Sequence, residues 1–310
     1  MARYLTVRLF HGAIVLFLIS ILTFAIMRMM PGDPVYLLFG EGQVRISEEQ
    51  MDAIREQWGL NEPLYVQYLV WAKNMLRGDF GDSLIRRGVP VRTMIFEAIP
   101  VTATLNVFAL GLALLIAIPV GIAAGMRRNS PLDYGTSVGS ALGIATPNFW
   151  LGLMLIVIFS LYLGWVPPFG LRSWKGYILP VIVLATEQMA VLARVMRAST
   201  VEVMTEDYVR TANAKGLPQR TVILRHAVRN ALLPIITVIG FRIAFLLSGT
   251  IVVETVFAIP GIGRLFTDSV FRLDYQVVQS LVVLLAVLVV ASNIVTDLVY
   301  AIVDPRIRIE

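Results

Sequence analysis

Hydrophobic positions along this chain fall in long blocks separated by shorter polar stretches. Six blocks reach the about 20 mostly apolar residues that a membrane-spanning helix needs. They run from Leu9 to Met27, Val101 to Gly125, Val138 to Gly164, Tyr177 to Val195, Leu232 to Val253 and Val277 to Ile302. The first has a basic flank in Arg3 and Arg8, as a signal peptide would. Its apolar run exceeds the roughly 7–15 residues of a signal sequence, and no small-residue cleavage site follows, so it reads as a retained helix. The pattern predicts an all-α polytopic membrane protein with six transmembrane helices.

The polar stretch from Met30 to Pro100 carries its own patterning. Ser47, with Gln50 three residues on, forms a capping-box signature. Met51, Ile54 and Trp58 recur at helical spacing before Gly59, which can close the helix. Pro63 is placed to open a second helix with Leu64, Tyr68, Trp71 and Met75 along one stripe. Such a stripe packs on its own protein more often than it binds a ligand. "RGDFGDSL" (Arg77 to Leu84) is a turn-rich connector, and "VPVRTMIFEAIP" suits an interfacial helix feeding the second span. After the fifth span, "FAIPGIGRLF" (Phe257 to Phe266) implies a shaped turn against the membrane surface.

Composition moves the picture the same way. Of the 310 residues 57% are apolar and 15% charged, against about 45–50% and about 25% in soluble domains. Net charge is +5, and the basic residues flank apolar runs instead of gathering on one solvated face, which argues against nucleic acid as a partner and for lipid. Placing the N-terminus in the cytosol puts Arg3, Arg8, Arg127, Arg128, the basic residues from Arg194 to Arg229, and Arg306 with Arg308 on that side. The short external loops then hold only Arg172, Lys175, Arg264 and Arg272, so both termini are expected to be cytoplasmic.

Several chemistries are excluded. The chain has no cysteine and only two histidines, His11 and His226, so thiolate sites, disulfides and histidine metal clusters drop out and no metal site is expected. No phosphate-binding loop, dinucleotide fingerprint, nucleophile elbow or metalloprotease motif occurs. The chain is therefore expected to be no enzyme and to bind no cofactor, so any work it does must draw on an ion gradient or another subunit. Within the spans, Glu187 and Arg242 lie near the middle of the fourth and fifth, where opposite charges at similar depth can pair. Asn293 and Asp297 stand four apart on the sixth and share a face. These groups form either a polar translocation path or a structural network. Pro147 falls inside the third span, where it can kink the helix.

The segment "EDYVRTANAKGLPQRTVILRHAVRNALLP" (Glu206 to Pro234) is basic and helix-prone, and it lies between two apolar blocks on the cytosolic side. Val201 to Lys215 contains neither proline nor glycine and favours helix, Gly216 and Pro218 break it, and a second helical run leads back to the membrane. Small side chains at the corner permit close approach of another backbone.

Here the sequence resembles a known family. "DYVRTANAKGL" followed by "LRHAVRNALLP" looks like the cytosolic coupling motif of ABC-importer permeases, in the form found in dipeptide, oligopeptide, nickel and glutathione importers. "MPGDP" (Met30 to Pro34), "RGDFGDSL", "VVETVFAIPGIGRLF" (Val252 to Phe266) and "YAIVDPRIR" (Tyr300 to Arg308) agree in order, so the resemblance spans the whole chain. Where the general family has Glu-Ala-Ala, Arg210-Thr211-Ala212 stand, so the loop's role and its glycine corner carry over and the acidic contact does not.

The resemblance implies a type I ABC-importer transmembrane fold in a prokaryotic inner membrane. It implies an N-terminal span over 1–30, an external loop over 31–93 and a transporter core over 94–302. The core would hold a cytosolic coupling loop at 198–230, and 303–310 would be a cytosolic tail. Implied partners are a second homologous permease in a heterodimer, two ATPase subunits carrying ATP and Mg, and an external solute-binding protein that delivers small peptides. The coupling face would comprise Tyr208, Thr211, Ala212, Ala214, Lys215, Gly216 and Leu217. Pro260, Gly261 and Gly263 would form an external gate or binding-protein contact. A different cargo in the same machine (a nickel chelate, glutathione, an opine or an oligosaccharide) or an ion-coupled secondary transporter are the alternatives. The latter class tends to show internal repeats, which are not evident here.

Overall fold

The computed structural model describes residues 2–29, 47–57, 59–86, 88–245 and 250–303. Among these, every regular element is helical apart from one isolated bridge between Asp82 and Pro90. The helices are α1 (Ala2–Met29), α2 (Glu48–Gln57), α3 (Leu64–Leu76), α4 (Val91–Met126), α5 (Pro131–Ala145), α6 (Asn148–Leu155), α7 (Ile178–Val203), α8 (Asp207–Ala214), α9 (Gln219–Thr221), α10 (Val228–Ala231), α11 (Leu233–Phe245), α12 (Ile251–Val256), α13 (Ile262–Phe271) and α14 (Tyr275–Val303). Two π-helical stretches, Ile156–Tyr162 and Val222–Ala227, continue α6 and join α9 to α10.

Among the described residues, four helices are long and apolar enough to cross a membrane, within Thr6–Met29, Val91–Met126, Trp174–Val203 and Tyr275–Val295. The third predicted span is different: α5 and the α6 segment meet at a bend of 99°, the geometry of a broken span or of a re-entrant pair. The cause is local. Thr146 precedes Pro147 and is held extended at ψ 119°, Pro147 follows at ψ 134°, and the helix restarts at Asn148. The expected kink is thus a full break. The predicted fifth span appears as the shorter α11 and α12, with 246–249 outside the described residues.

A second difference concerns "VPVRTMIFEAIP". It is no separate interfacial helix, because α4 runs unbroken from Val91 through Pro100 to Met126. Its 36 residues extend about 54 Å, well beyond the about 30 Å hydrocarbon core.

The contacts divide the chain into two compact units, 1–100 with 264–290 and 101–263 with 291–310. In the first, the capping box forms as the sequence predicts. The Gln50 N–H donates to Ser47 Oγ at 3.3 Å, and the Ser47 N–H donates to Gln50 Oε1 at 3.1 Å. The stripe on α3 packs on the protein itself: Tyr68 and Trp71 lie 5.6 and 5.9 Å from the Phe24 ring, and Tyr68 and Ser20 share a hydroxyl hydrogen bond of 2.8 Å. Ile54 and Trp58 lie outside the described side chains, as does the "MPGDP" segment. Ser83 and the Leu84 N–H both donate to the buried Asp274 carboxylate.

The second unit is built on a ladder of small residues. Leu105, Ala109, Ala113 and Ala117 are fully buried on α4 at four-residue spacing, and Gly121 and Gly125 continue the row. A Cβ at Gly121 would lie 2.6 Å from Met196 Cβ, and one at Gly125 would lie 2.7 Å from Thr200 Cβ, so α4 and α7 touch backbone to backbone there. At the start of α5, Ser130 caps the helix and Asp133 faces Arg197 of α7. Arg197 Nε and Nη2 donate to the two Asp133 oxygens at 2.6 and 2.9 Å, a bidentate pair. Asp133→Ala is expected to lower the melting temperature in detergent, since it strands the partly buried guanidinium. Exchanging the two residues should recover part of the loss, and an unchanged melting temperature in Asp133→Ala would show the pair to be idle.

Candidate functional site

The segment from Glu206 to Pro234 folds as a short helix, a tight corner and a return helix. It differs from the expected single helix in one respect: α7 stops at Val203, a turn intervenes, and α8 begins at Asp207. Val209 and Ala212, three apart on α8, are buried in the core of the second unit. That docks the helix by one face and leaves Tyr208, Thr211, Ala214, Lys215, Gly216 and Leu217 exposed. Ala212, expected on the contact face, turns inward instead because it shares Val209's side of the helix.

The corner has a definite geometry. Gly216 adopts φ +71° directly after the α8 C-cap Lys215, as the left-handed closing residue of a helix does. Its N–H donates to Asn213 O at 2.9 Å, and the Leu217 N–H reaches Ala212 O at 3.4 Å. Pro218, at φ −56°, opens α9. A Cβ at Gly216 would meet nothing within 4 Å. The position therefore needs glycine for its backbone and is open to an approaching surface. Asn230 Nδ2 on the return helix donates to Tyr208 Oη at 2.8 Å, tying the two arms together. The product is a half-buried prong whose exposed side carries an aromatic ring, a leucine and a lysine.

Of the four intramembrane candidates, the side chains of Glu187 and Asn293 are among the described residues. Glu187 is half-buried on α7 and receives a long hydrogen bond of 3.4 Å from Asn148 Nδ2, at the start of α6 beside the break. Arg242 belongs to α11, but its side chain lies outside the described residues, as does that of Asp297 on α14. Asn293 is exposed on α14.

On the third candidate, the turn after α12, Pro260 is exposed while Gly261 and Gly263 are buried. Both glycines pack against Glu254, the nearest side chain to a Cβ built at Gly261. Glu254 is fully buried, and Thr102 Oγ1 donates to its Oε1 at 2.6 Å. The sequence reading missed Glu254, although a signal was available. It is the one acidic residue between Asp207 and Asp268, and it sits at the end of an apolar block just ahead of Pro-Gly-Ile-Gly.

Comparison with known proteins gives consistent matches over the whole length. Residues 117–309 match the family described as "Binding-protein-dependent transport system inner membrane component", and residues 1–106 match its N-terminal membrane-component family. The chain is 44% identical over 318 aligned residues to the oligopeptide transport system permease protein AppB of Bacillus subtilis (strain 168), covering 99% of this chain and 100% of that one. It is 40% identical over 308 residues to the glutathione transport system permease protein GsiC of Escherichia coli (strain K12), covering 99% of each. A solved amino acid ABC transporter chain superimposes with a TM-score of 0.50 at 16% identity, over 69% of this chain and 94% of that one, and so supports the fold alone.

Proposed function

The chain belongs to the inner-membrane component family of binding-protein-dependent transport systems, and from that premise we propose that it is the membrane subunit of an ATP-driven importer of small peptides. The observation that carries this reading is identity of 40% or more, across nearly full length, to permeases named for oligopeptides and for glutathione, itself a tripeptide. The exposed prong around Gly216 supplies the mechanical part: a docked helix with one outward face and an open corner is shaped to be gripped by another protein.

In this reading both termini are cytoplasmic and the prong lies beside the ATPase subunits. ATP and Mg are held by two such subunits, and this chain performs no catalysis of its own. Closure of the ATPases on ATP moves the prong as a lever, and the spans switch between inward- and outward-facing states as rigid bodies. Tyr208, Thr211, Ala214, Lys215, Gly216 and Leu217 form the contact, with Ala212 fixing the helix from beneath. A second, homologous permease completes the path, and an external binding protein delivers the peptide near Pro260.

Affinity purification from the native membrane, with mass identification of retained chains, tests the assembly. Recovery of a second permease and two ATPases, with ATP-driven peptide uptake after reconstitution, is the expected result. A homomeric chain that moves solute on membrane potential alone would overturn it.

Glu187 and Arg242 receive a test of their own. A carboxylate at mid-membrane depth is costly unless it meets a partner or a polar path. Replacing both by leucine is expected to cut uptake sharply while leaving the complex assembled. Retained uptake would assign the two a purely structural role.

A further inference from the structure

Glu254 has no part in the coupling mechanism, yet it is among the most completely buried charged side chains of the second unit. Isolated buried carboxyls are expensive, so its surroundings have to account for it. Thr102 of α4 donates its hydroxyl to Glu254 Oε1 at 2.6 Å and accepts the Ile262 N–H at 2.9 Å. Ile262 is the first residue of α13, so the relay satisfies a backbone N–H at the start of a helix that has no partner within that helix. Gly261 and Gly263 flank it, and a Cβ at Gly263 would stand 3.0 Å from Glu254 Oε2. Two glycines around one isoleucine thus let the backbone of the turn close over a carboxyl group.

The turn needs such a hold. Ala258 takes φ +52°, a left-handed conformation that is strained for a residue with a side chain. The turn is fastened elsewhere too, since the Gly170 N–H donates to Phe257 O at 2.8 Å and the Ile259 N–H to Glu254 O at 2.8 Å. The Glu254–Thr102 bond, which joins residues 152 apart in sequence, ties the Gly-Ile-Gly end to α4.

We propose that Glu254 is the positioning residue of the external gate, its carboxyl acting through Thr102 to clasp the 257–263 turn onto helix α4. The clasp stands on geometry alone, and its gating role rests on the importer reading. Pro260 is presented outward because the two glycines beside it are drawn inward. A binding protein pressing on Pro260 therefore acts on a turn whose position is set at α4. Loosening the clasp lets the turn yield without moving the spans.

The test is amide hydrogen–deuterium exchange of the 257–263 segment in the assembled transporter, paired with ATP-driven uptake of radiolabelled di- and tripeptides. Thr102→Val keeps the volume and removes the hydroxyl. Glu254→Ala removes the carboxyl, and Glu254→Gln keeps an acceptor for Thr102. Exchange in the turn is expected to rise about tenfold in Thr102→Val and Glu254→Ala, as befits loss of a buried partner, and to stay near wild type in Glu254→Gln. Uptake should fall in the first two and recover in the third. Wild-type exchange in a folded Thr102→Val would overturn the clasp, even if Glu254→Ala does not fold. Raised exchange with unimpaired uptake would overturn the gating role. If the wild-type complex moves no peptide while the exchange pattern holds, the clasp stands and the peptide-importer reading falls.

Discussion

Gly121→Leu is expected to leave little or no folded protein in the membrane. The reason lies in what the new side chain would meet. Even a Cβ at this position would lie 2.6 Å from Met196 Cβ and 2.9 Å from Ala193 O. The second neighbour is backbone on α7 and cannot rotate away, so the helices must separate. Separation would strip contact from the buried row Leu105, Ala109, Ala113 and Ala117, which packs in the same core. Overpacking a well-filled core costs about 1–3 kcal/mol where the neighbours can shift, and a backbone collision puts this variant beyond that range. Gly111 is the internal control. It lies on the same helix, and a Cβ there meets nothing within 4 Å. Gly111→Ala should be tolerated or slightly stabilising, because alanine is the better helix former by about 1 kcal/mol. Membrane abundance and detergent melting of the two variants provide the measurement. Equal abundance of Gly121→Leu and Gly111→Ala would mean that α4 and α7 do not pack as described.

That ladder was present in the sequence and went unread. A hydropathy block scores alanine, glycine and leucine alike as "apolar enough to span", so it locates α4 without saying which face another helix can approach. The four-residue recurrence of small residues carries that further information. Features written in neighbouring residues were legible: the capping box at Ser47, the glycine corner at 216, the proline effect at 147. Even there, local signals fixed the place of an event better than its size, since Pro147 announced a disturbance and the 99° break follows from Thr146 leaving the helical region before it.

Features written across the chain were not legible. Thr102 and Glu254 are 152 residues apart, and Asp133 and Arg197 are 64 apart. No local period connects either pair, and each residue taken alone reads as ordinary decoration near a membrane surface. The same limit applies to Ala212. Its helix was foreseeable, while its inward orientation depends on Val209 having a core to enter. Gly261 and Gly263 were noticed as turn residues, but what they turn around is a side chain seven and nine positions earlier, folded back by a geometry that residue counting does not supply.

Gly216→Asp is expected to abolish uptake while leaving membrane insertion and fold intact, a dissociation that Gly121→Leu cannot produce. Aspartate is among the few residues that visit the left-handed region, and the strain of doing so is about 1–2 kcal/mol at most. Gly216 sits at φ +71° on an exposed corner where a Cβ meets nothing within 4 Å, so the chain itself has room for the side chain. The core contacts of Val209 and Ala212 and the Asn230–Tyr208 bond lie on the other side of α8 or on the return helix, and they survive. What changes is the surface offered to a partner. A bulky, hydrated carboxylate replaces a bare backbone between Lys215 and Leu217, and a close backbone approach then requires its desolvation. Gly216→Ala separates the causes, since it shares the backbone strain without the charge and should retain a substantial part of the uptake. The measurement is ATP-driven peptide uptake in proteoliposomes, with ATPase subunits retained on affinity purification as the second readout. Gly216→Asp should lose both, against normal abundance in the membrane. Normal uptake by Gly216→Asp would remove the corner from the coupling contact and leave the prong without its proposed role.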